Sequence, residues 1–311
     1  MDQTGPRRRA TITDVASAAG VAPSTVSRAF TRPGRVNHRT RELVLEVAER
    51  LGYSPNPAAQ ALESGRSRTV ALVVPDITNP YFAGAIKGAE RAVAEAGLTL
   101  VLGDTQENPA NEQQLIRRLG PAVDGFVLVA SRLPDESLRE AAELNRVVLI
   151  NRACKGLTSV VADYDTGTRQ IVAHLASHGH RSFVFLGGPP ESWSGAKRWA
   201  GLRAAADAVI AAGATAVVAH NDVLAIGVLK RLAERRVTVP DDVSVVGFDN
   251  VFGSDFCHPP LTTLAERTEE AGARAIEALA HQASLGVQDT PARVLPTQLV
   301  VRASSGGVPA G

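Results

Sequence analysis

From Thr69 onward the chain repeats one cycle: a short apolar run, a stop, and then a stretch with helical spacing. Val70-Ala71-Leu72-Val73-Val74 ends at Pro75, and a helical pattern runs from Phe82 to Ala96. Further apolar runs lie at 98–102, 125–129 and 147–150, separated by a helical pattern through Leu119 and another over 137–144. Strands that are apolar on both faces are buried on both faces, and parallel strands linked by helices achieve this. The cycle restarts with a helix over 166–178 and a strand over 182–186. The pattern therefore predicts an α/β body with two doubly wound lobes. Gly97 and Gly179 end helices at corresponding places in the two, as C-terminal caps do.

The first 68 residues read differently. They hold eleven arginines, no lysine and six acids, so they carry +5 while the remainder carries −4. A basic head on an acidic body suits a module that neutralises phosphates, although Arg7-Arg8-Arg9 alone is also a solvated tail. At 44% hydrophobic and 21% charged, the 311-residue chain has ordinary globular composition and the length for two or three units. No apolar run reaches membrane-span length, and no apolar segment follows the basic first nine residues. A cytoplasmic protein without membrane contact is expected. Cys154 and Cys257 are far apart and outside metal spacing with histidine, so they read as small buried hydrophobes.

Within the head, Thr11-Ile12-Thr13-Asp14 has the form of a capping box, and a small apolar stripe (Val15, Ala16, Ala19) stops at Gly20. A second short helix starts with Pro23 in its first turn and no polar cap at Ala22. Val26 and Phe30 are four apart and face a core, which turns Ser24, Ser27 and Arg28 elsewhere. Two short helices across a tight glycine turn have helix-turn-helix geometry. A third helix runs from an Asn37 cap through Leu43, Val44, Val47 and Leu51 to Gly52.

These residues carry a resemblance. Thr11-Ile12-Thr13-Asp14-Val15-Ala16, Ala19-Gly20-Val21, Thr25-Val26-Ser27-Arg28, Leu51-Gly52-Tyr53-Ser54-Pro55-Asn56, and Ala59 with Leu62 resemble the lactose/galactose repressor (LacI/GalR) family. Body segments continue the match: Asn79-Pro80-Tyr81-Phe82, Gly179-His180-Arg181, Asn221-Asp222, the run from Val239 to Asp249, and Pro260-Leu261-Thr262-Thr263. The resemblance implies a dimeric transcriptional regulator, of the repressing kind in that family, without enzymatic activity or cofactor. Its partners would be a pseudo-palindromic DNA operator and a small-molecule effector of sugar type. It implies a head over 1–55, a hinge helix and linker over 56–68, and a periplasmic-binding-protein-like body over 69–311. Lobe 1 would take about 69–161 and 292–303, and lobe 2 about 162–291.

By position in that family, Pro23, Ser24 and Arg28 read bases from the major groove. Arg28 has the geometry to pair with guanine O6 and N7. Thr11, Thr25, Ser27, Arg35, Asn37, Thr40, Tyr53 and Asn56 match further DNA-contacting positions that set register. Ala59 and Leu62 match the hinge helix, whose leucine wedges into the minor groove. The residues themselves suit a plain linker equally well. In the body, Asp76, Tyr81, Phe82, Asn151, Ser194, Arg198, Asn221 and Asp249 match the effector site. Asn151, Asn221 and Asp249 follow strand ends, where ligands of open α/β sheets bind. Asn221-Asp222 also stands where a helix cap belongs, with Asp222 as the capping candidate. His174, His178 and His180 invite a metal reading, but the family carries Gly-His-Arg here without metal.

One departure stands out. Only an Ala-rich stretch separates Arg198 from the strand before Asn221, where the family carries a helix, a strand and another helix. The expected consequences are a shortened second lobe, an effector site lacking an aromatic residue that Trp193 or Trp199 would have to replace, and an altered effector response. Two other classes fit less well. A transport binding protein has no helix-turn-helix, and a nicotinamide-dependent dehydrogenase needs Gly-x-Gly-x-x-Gly where Pro75-Asp76-Ile77-Thr78-Asn79-Pro80 stands.

Overall fold

The computed structural model describes residues 10–54, 66–206, 214–285 and 292–308. The chain divides into two compact units, Met1–Ser67 and Arg68–Gly311. Asn56, Ala59 and Leu62, and with them the hinge-helix expectation, lie outside the described residues.

In the first unit, α1 (Ile12–Ala19), α2 (Pro23–Thr31) and α3 (His38–Leu51) enclose a small core of Val15, Ala16, Ala19, Val26, Ala29, Val44, Val47 and Ala48. The Thr11 hydroxyl accepts from the Asp14 N–H, and the Asp14 carboxylate accepts from the Thr11 N–H at 2.8 Å. Two of the orphan donors at the start of α1 are thereby satisfied. Gly20 and Gly52 close α1 and α3 in left-handed conformations (φ 65° and 62°). Leu43 and Leu51 are 45% and 39% exposed. At 100° per residue the stripe through Val44, Val47 and Ala48 leaves Leu43 on the flank, while Leu51 shares the direction of the stripe but stands at the last position of the helix.

In the second unit the strands β1 (Thr69–Val74), β2 (Thr99–Asp104), β3 (Gly125–Val129), β4 (Val147–Ile150) and β5 (Thr158–Ala162) alternate with α4 (Tyr81–Glu95), α5 (Pro109–Leu119) and α6 (Asp135–Leu144). Each buried strand divides its side chains between two cores. Val70, Leu72 and Val74 of β1 pack towards α4, while Ala71 and Val73 pack towards α5 and α6. Val127/Val129 and Phe126/Leu128 of β3 divide the same way. This is the period of two that a doubly covered parallel strand requires.

Lobe 2 follows with α7 (Tyr164–Ser177), β6 (Phe183–Leu186), α8 (Trp193–Ala206), β7 (Ala216–Ala219), α9 (Asp222–Glu234), β8 (Ser244–Asp249) and β9 (Thr262–Ala265). The chain then returns as α10 (Thr268–Leu285), β10 (Arg293–Leu295) and β11 (Gln298–Val300). The first sheet has the order β10-β5-β4-β3-β1-β2 and the second β11-β9-β8-β7-β6. All pairings are parallel except β11 with β9.

This order corrects the expected lobe boundaries. Residues 268–285 pack on α4, β3, β4 and β5, so they belong to lobe 1 rather than lobe 2. Residues 298–300 pair with β9, so they belong to lobe 2. The chain crosses between lobes three times, at Ala162–Asp163, at 266–267 and at 296–297. Local periodicity reports a helix or strand but not which sheet receives it.

The two lobes differ in one further respect. In lobe 1, β1 is flanked by β3 and β2; in lobe 2, its counterpart β6 is flanked by β7 alone among the described residues. β6 is accordingly half-buried, with Val184 45% exposed. Residues 207–213, between α8 and β7, lie outside the described residues.

In lobe 1, α4 and α10 meet at very close range. A Cβ added at Gly88 would stand 1.9 Å from the Glu269 carbonyl oxygen, and one at Gly272 2.1 Å from that of Ala85. Gly88→Ala is expected to push the helices apart and to destabilise the body by about 1–3 kcal/mol, as overpacking does. Urea denaturation checks it, and an unchanged midpoint would contradict the close packing.

Candidate functional site

The first unit presents a polar surface on α2. Val26 and Ala29 face inward, which leaves Pro23, Ser24 and Arg28 exposed and Thr25 and Ser27 half-buried. Ser24 and Arg28, four apart, share one face. The Arg28 guanidinium donates to the Ser24 carbonyl and to its hydroxyl, each at 3.0 Å, which lays the arginine along the helix. No side chain caps α2; Pro23 has no N–H, and the Thr25 and Val26 N–H groups donate to the Ala22 carbonyl at 2.8 and 3.2 Å. Arg35 is exposed on the turn after α2, and Thr40 is half-buried on α3. The Asn37 side chain caps α3, its Oδ1 accepting from the Arg39 N–H at 3.0 Å. Tyr53 packs edge-on against Phe30 at 5.9 Å, and burial raises its hydroxyl pKa.

In the second unit, strand ends from both lobes converge on one cleft. Tyr81 and Phe82 come from the start of α4, Asn151 from the end of β4, Ser194 and Arg198 from α8, Asn221 from the residue before α9, and Asp249 from the last position of β8. They line a cavity of about 80 Å³. Ala130, Asn151 and Asp249 have φ of 46°, 55° and 106°, backbone conformations seldom held except where the surroundings impose them. Asp76 is not among the lining residues. Its carboxylate accepts from the Thr78 N–H (2.8 Å) and hydroxyl (2.7 Å) and so stabilises the turn before α4.

At the centre lies Arg198, 2% exposed. Its guanidinium donates to Asp249 Oδ1 and Glu266 Oε1, both at 2.7 Å, and to the His220 carbonyl at 2.5 Å. Its flat face lies over the rings of Phe248 (4.7 Å) and Tyr164 (5.1 Å). From lobe 1, Asn151 donates to the Tyr81 hydroxyl at 2.8 Å and accepts from the Tyr164 hydroxyl at 2.5 Å, while Tyr81 donates to Glu266 Oε2 at 2.8 Å. The network thus ties α4 and β4 of lobe 1 to α7 and α8 of lobe 2 through Glu266, which sits on a crossover. Burial holds the Tyr81 and Tyr164 hydroxyls well above their usual pKa. Burial also raises the Asp249 carboxyl well above the carboxylate range; Arg198 pulls it down, and Glu266 adds to the rise.

Several of these groups escape a reading of the sequence. Glu266 and Tyr164 flank crossovers, which no local motif marks. Glu107 and Arg132 enter the cavity wall as a 2.8 Å ion pair from two separate loops of lobe 1. His220 had a usable signal, since it directly precedes Asn221-Asp222 at a strand end. The cap of α9 is Asn221, whose Oδ1 accepts from the Leu224 N–H at 2.9 Å, rather than Asp222. Asp222 is fully buried and accepts from the Val251 N–H (3.0 Å) and the Thr263 hydroxyl (2.6 Å). Neither tryptophan replaces an aromatic wall in the cavity. Trp199 stacks on Phe185 at 5.7 Å on lobe 2, and Trp193 packs into the lobe 2 core. The three histidines are engaged separately: His174 with Ser305 Oγ (2.8 Å), His178 with the His174 carbonyl (2.9 Å), and His180 with Thr215, Ser244 and Gly306.

Comparison with known proteins gives a consistent picture. Residues 11–56 match the model of bacterial regulatory proteins of the lacI family. Residues 67–211 match the periplasmic binding proteins and sugar binding domain of LacI family, and 192–305 a periplasmic binding protein-like domain. The chain is 32% identical to the HTH-type transcriptional repressor CytR of Escherichia coli (strain K12), covering 96% of this chain and 97% of that one. It is 30% identical to the HTH-type transcriptional regulator DegA of Bacillus subtilis (strain 168), covering 96% and 98%. Both alignments run over 332 positions while taking in 96% of 311 residues, so these relatives carry positions that this chain lacks. Among solved structures, the lac repressor dimer bound to operator and an anti-inducer superposes with a TM-score of 0.85 at 23% identity, covering 96% of this chain and all of that one. The CelR–cellobiose complex superposes at 0.69 with 28% identity, covering 95% and 100%.

Two buried groups set a pH dependence. Burial, then Arg198 and Arg132, lower His220 from 6.5 to about 3, and burial raises Asp222 from 3.8 to about 6. As pH falls below 6.5 the unfolded state protonates His220 and the folded state does not, so stability is lost on acidification. Asp222 acts oppositely: its contribution is full below 3.8 and is lost as pH rises through 6. Between pH 6 and 4 the two windows overlap and oppose each other, so the melting temperature should change little from these two groups. His220→Asn should make it rise on acidification over that range and Asp222→Asn should make it fall, as read by thermal melts across pH. Parallel curves for all three proteins would refute both assignments.

Proposed function

Because this chain belongs to the lacI family of bacterial regulatory proteins, whose members join a DNA-binding helix-turn-helix to an effector-binding body, we propose that it is a dimeric repressor. It acts on DNA in the cytoplasm, at the nucleoid, catalyses no reaction, and changes its operator affinity when a small polyhydroxy ligand occupies the cleft. The observation that carries the reading is the outward face of α2. A helix anchored through Val26 and Ala29 offers Pro23, Ser24 and Arg28 together to a major groove. Arg28 reads guanine, Ser24 orients it, and Pro23 makes an apolar contact. Thr11, Thr25, Ser27, Arg35, Asn37, Thr40 and Tyr53 set register on the phosphates, with Asn56, Ala59 and Leu62 continuing the contact. None of the described helices is long and apolar enough to cross a membrane.

One module reads too few base pairs to specify a site, so the heads work in pairs. We assign lobe 2 a part in pairing. Phe252 and Phe256 are 85% and 65% exposed, in edge-to-face contact at 5.0 Å on the loop after β8. Exposed paired aromatics of this kind mark interaction surfaces. In the cleft, Tyr81, Phe82, Asn151, Ser194, Arg198, Asn221 and Asp249 hold the effector, and Asp76 shapes the turn that delivers Tyr81. The cavity of about 80 Å³ is small for such a ligand, so binding opens the lobes and remakes the Arg198 network. With β6 at the sheet edge and no tryptophan in the wall, effector response is altered from that of relatives with a full second lobe.

Selection of bound DNA from a random library by the full-length protein should recover a pseudo-palindrome. Arg28→Ala should weaken binding to it by roughly 1–3 kcal/mol and relax one position per half-site. Recovery of a lone half-site would refute the paired reading. Phe252→Ser with Phe256→Ser should shift the protein towards monomer in sedimentation and weaken operator binding. A dimer of unchanged strength would move the interface elsewhere.

A further inference from the structure

We propose that the cleft selects a polyhydroxy ligand bearing a basic nitrogen, an amino sugar in chemical class, and that Glu266 sets this preference. The inference rests on the cleft being the effector site and adds the charge of what enters it.

The starting point is a charge imbalance. The cleft and its floor hold two guanidinium groups, Arg198 and Arg132, and three carboxylates, Asp249, Glu266 and Glu107. Arg132 is taken up by Glu107 at 2.8 Å. Arg198 must then serve both Asp249 and Glu266, and it meets the two through the same Nη2 atom. Both carboxylate-bearing side chains are 4% exposed, so water does not screen the surplus charge. Buried charge without a partner is costly, and a proton or a cation must balance it.

Geometry says which carboxylate is available. Glu266 uses one oxygen on Arg198 and the other on the Tyr81 hydroxyl. Asp249 engages only Oδ1, and it borders the cavity. Burial raises the Asp249 carboxyl, Arg198 pulls it down and Glu266 adds to the rise, as befits one guanidinium serving two carboxylates. An ammonium group set against Asp249 Oδ2 supplies the missing positive charge. The groups facing Asp249 are Arg198 from α8, Tyr164 from α7, Tyr81 from α4, Asp222 from α9 and Glu266 from the crossover. Of these only Arg198 is a cation, and it is shared.

A second observation points independently to a ligand. Arg198 Nε and His220 Nδ1 are buried and have no hydrogen-bond partner, and both residues border the cavity. With Ser192, Ser194 and Asn151 in the same wall they supply donors and acceptors for hydroxyls. Hydroxyl recognition and a carboxylate facing a small cavity together describe an amino sugar better than a neutral one. On binding, the ligand enters as its ammonium form and pairs with the Asp249 carboxylate, and any proton that the carboxyl holds passes to the buffer.

Calorimetry on the full-length protein at pH 7 tests this with D-glucosamine against D-glucose and D-galactosamine against D-galactose, each in two buffers of different ionisation enthalpy. At least one amino sugar should bind tenfold or more tighter than its parent, with up to one proton released per ligand. Glu266→Gln keeps the side chain's size and one acceptor oxygen for Arg198, turns the contact with the Tyr81 hydroxyl into one that the amide donates, and removes the charge, so it should erase the preference while hydroxyl recognition survives. Equal or tighter binding of the parents, or no binding of either amino sugar, overturns the proposal. Arg198→Met separates the two layers of the reading. If it abolishes sugar binding that shows no amine preference, the cleft stands as the effector site and the charge inference falls. If it leaves sugar binding unchanged, the cleft itself is the wrong site.

Discussion

Arg198 is the group on which the body's functional geometry depends. A guanidinium excluded from water needs every donor satisfied and its charge offset, and few arrangements do both. Here two carboxylates, a backbone carbonyl and two aromatic faces meet the charge and engage Nη1 and Nη2, while Nε is left without a partner. The carboxylates come from β8 and from a crossover, and the aromatic rings from α7 and β8. Because Glu266 also accepts from Tyr81, the arginine is linked to lobe 1 by one intermediary. Moving one lobe against the other must break or remake part of this set, which gives a ligand in the cleft something to act on.

The crossovers make that coupling mechanical. Asp163 on the first crossover caps α7 through the Thr166 N–H, receives the Thr297 hydroxyl on its carbonyl, and donates its own N–H to the Leu295 carbonyl. The first and third crossovers are thereby held side by side, and Glu266 occupies the second. Each lobe is rigid for ordinary reasons, with strands packed on both faces and α4 and α10 in near backbone contact at Gly88 and Gly272. Any movement of one lobe against the other has to pass through the three crossovers and the polar network beside them. Lobe 2 departs from lobe 1 at β6, whose outer edge has no strand partner among the described residues.

The head reaches its form by local means. A capping box, two left-handed glycines and an eight-residue core suffice to fix three short helices. Each of those signals is written within a few residues of where it acts. The inward stripe of α2 then settles which side chains meet solvent. Ser24 and Arg28 brace each other along the exposed face of α2.

By itself the sequence determined the alternation of buried strands and helices, the caps and stops of the head, and the polar residues at strand ends. All of these rest on periods and dipeptide signals shorter than about twenty residues, where chain sterics and hydrogen bonding act directly. The run from Arg198 to Asn221 was also legible as short, and β6 stands at a sheet edge accordingly. Only the tertiary structure decided that α10 returns to lobe 1, that β11 joins lobe 2, and that Leu43 and Leu51 keep 45% and 39% exposure. It alone brought Glu266, Tyr164, His220, Glu107 and Arg132 to the cleft and sent Asp76 to a turn. Those outcomes depend on which sheet edge is open to each returning segment and on how buried charges find partners far apart in the chain. A one-dimensional pattern carries the demand that a buried guanidinium be paired, but it does not say which carboxylates will answer it.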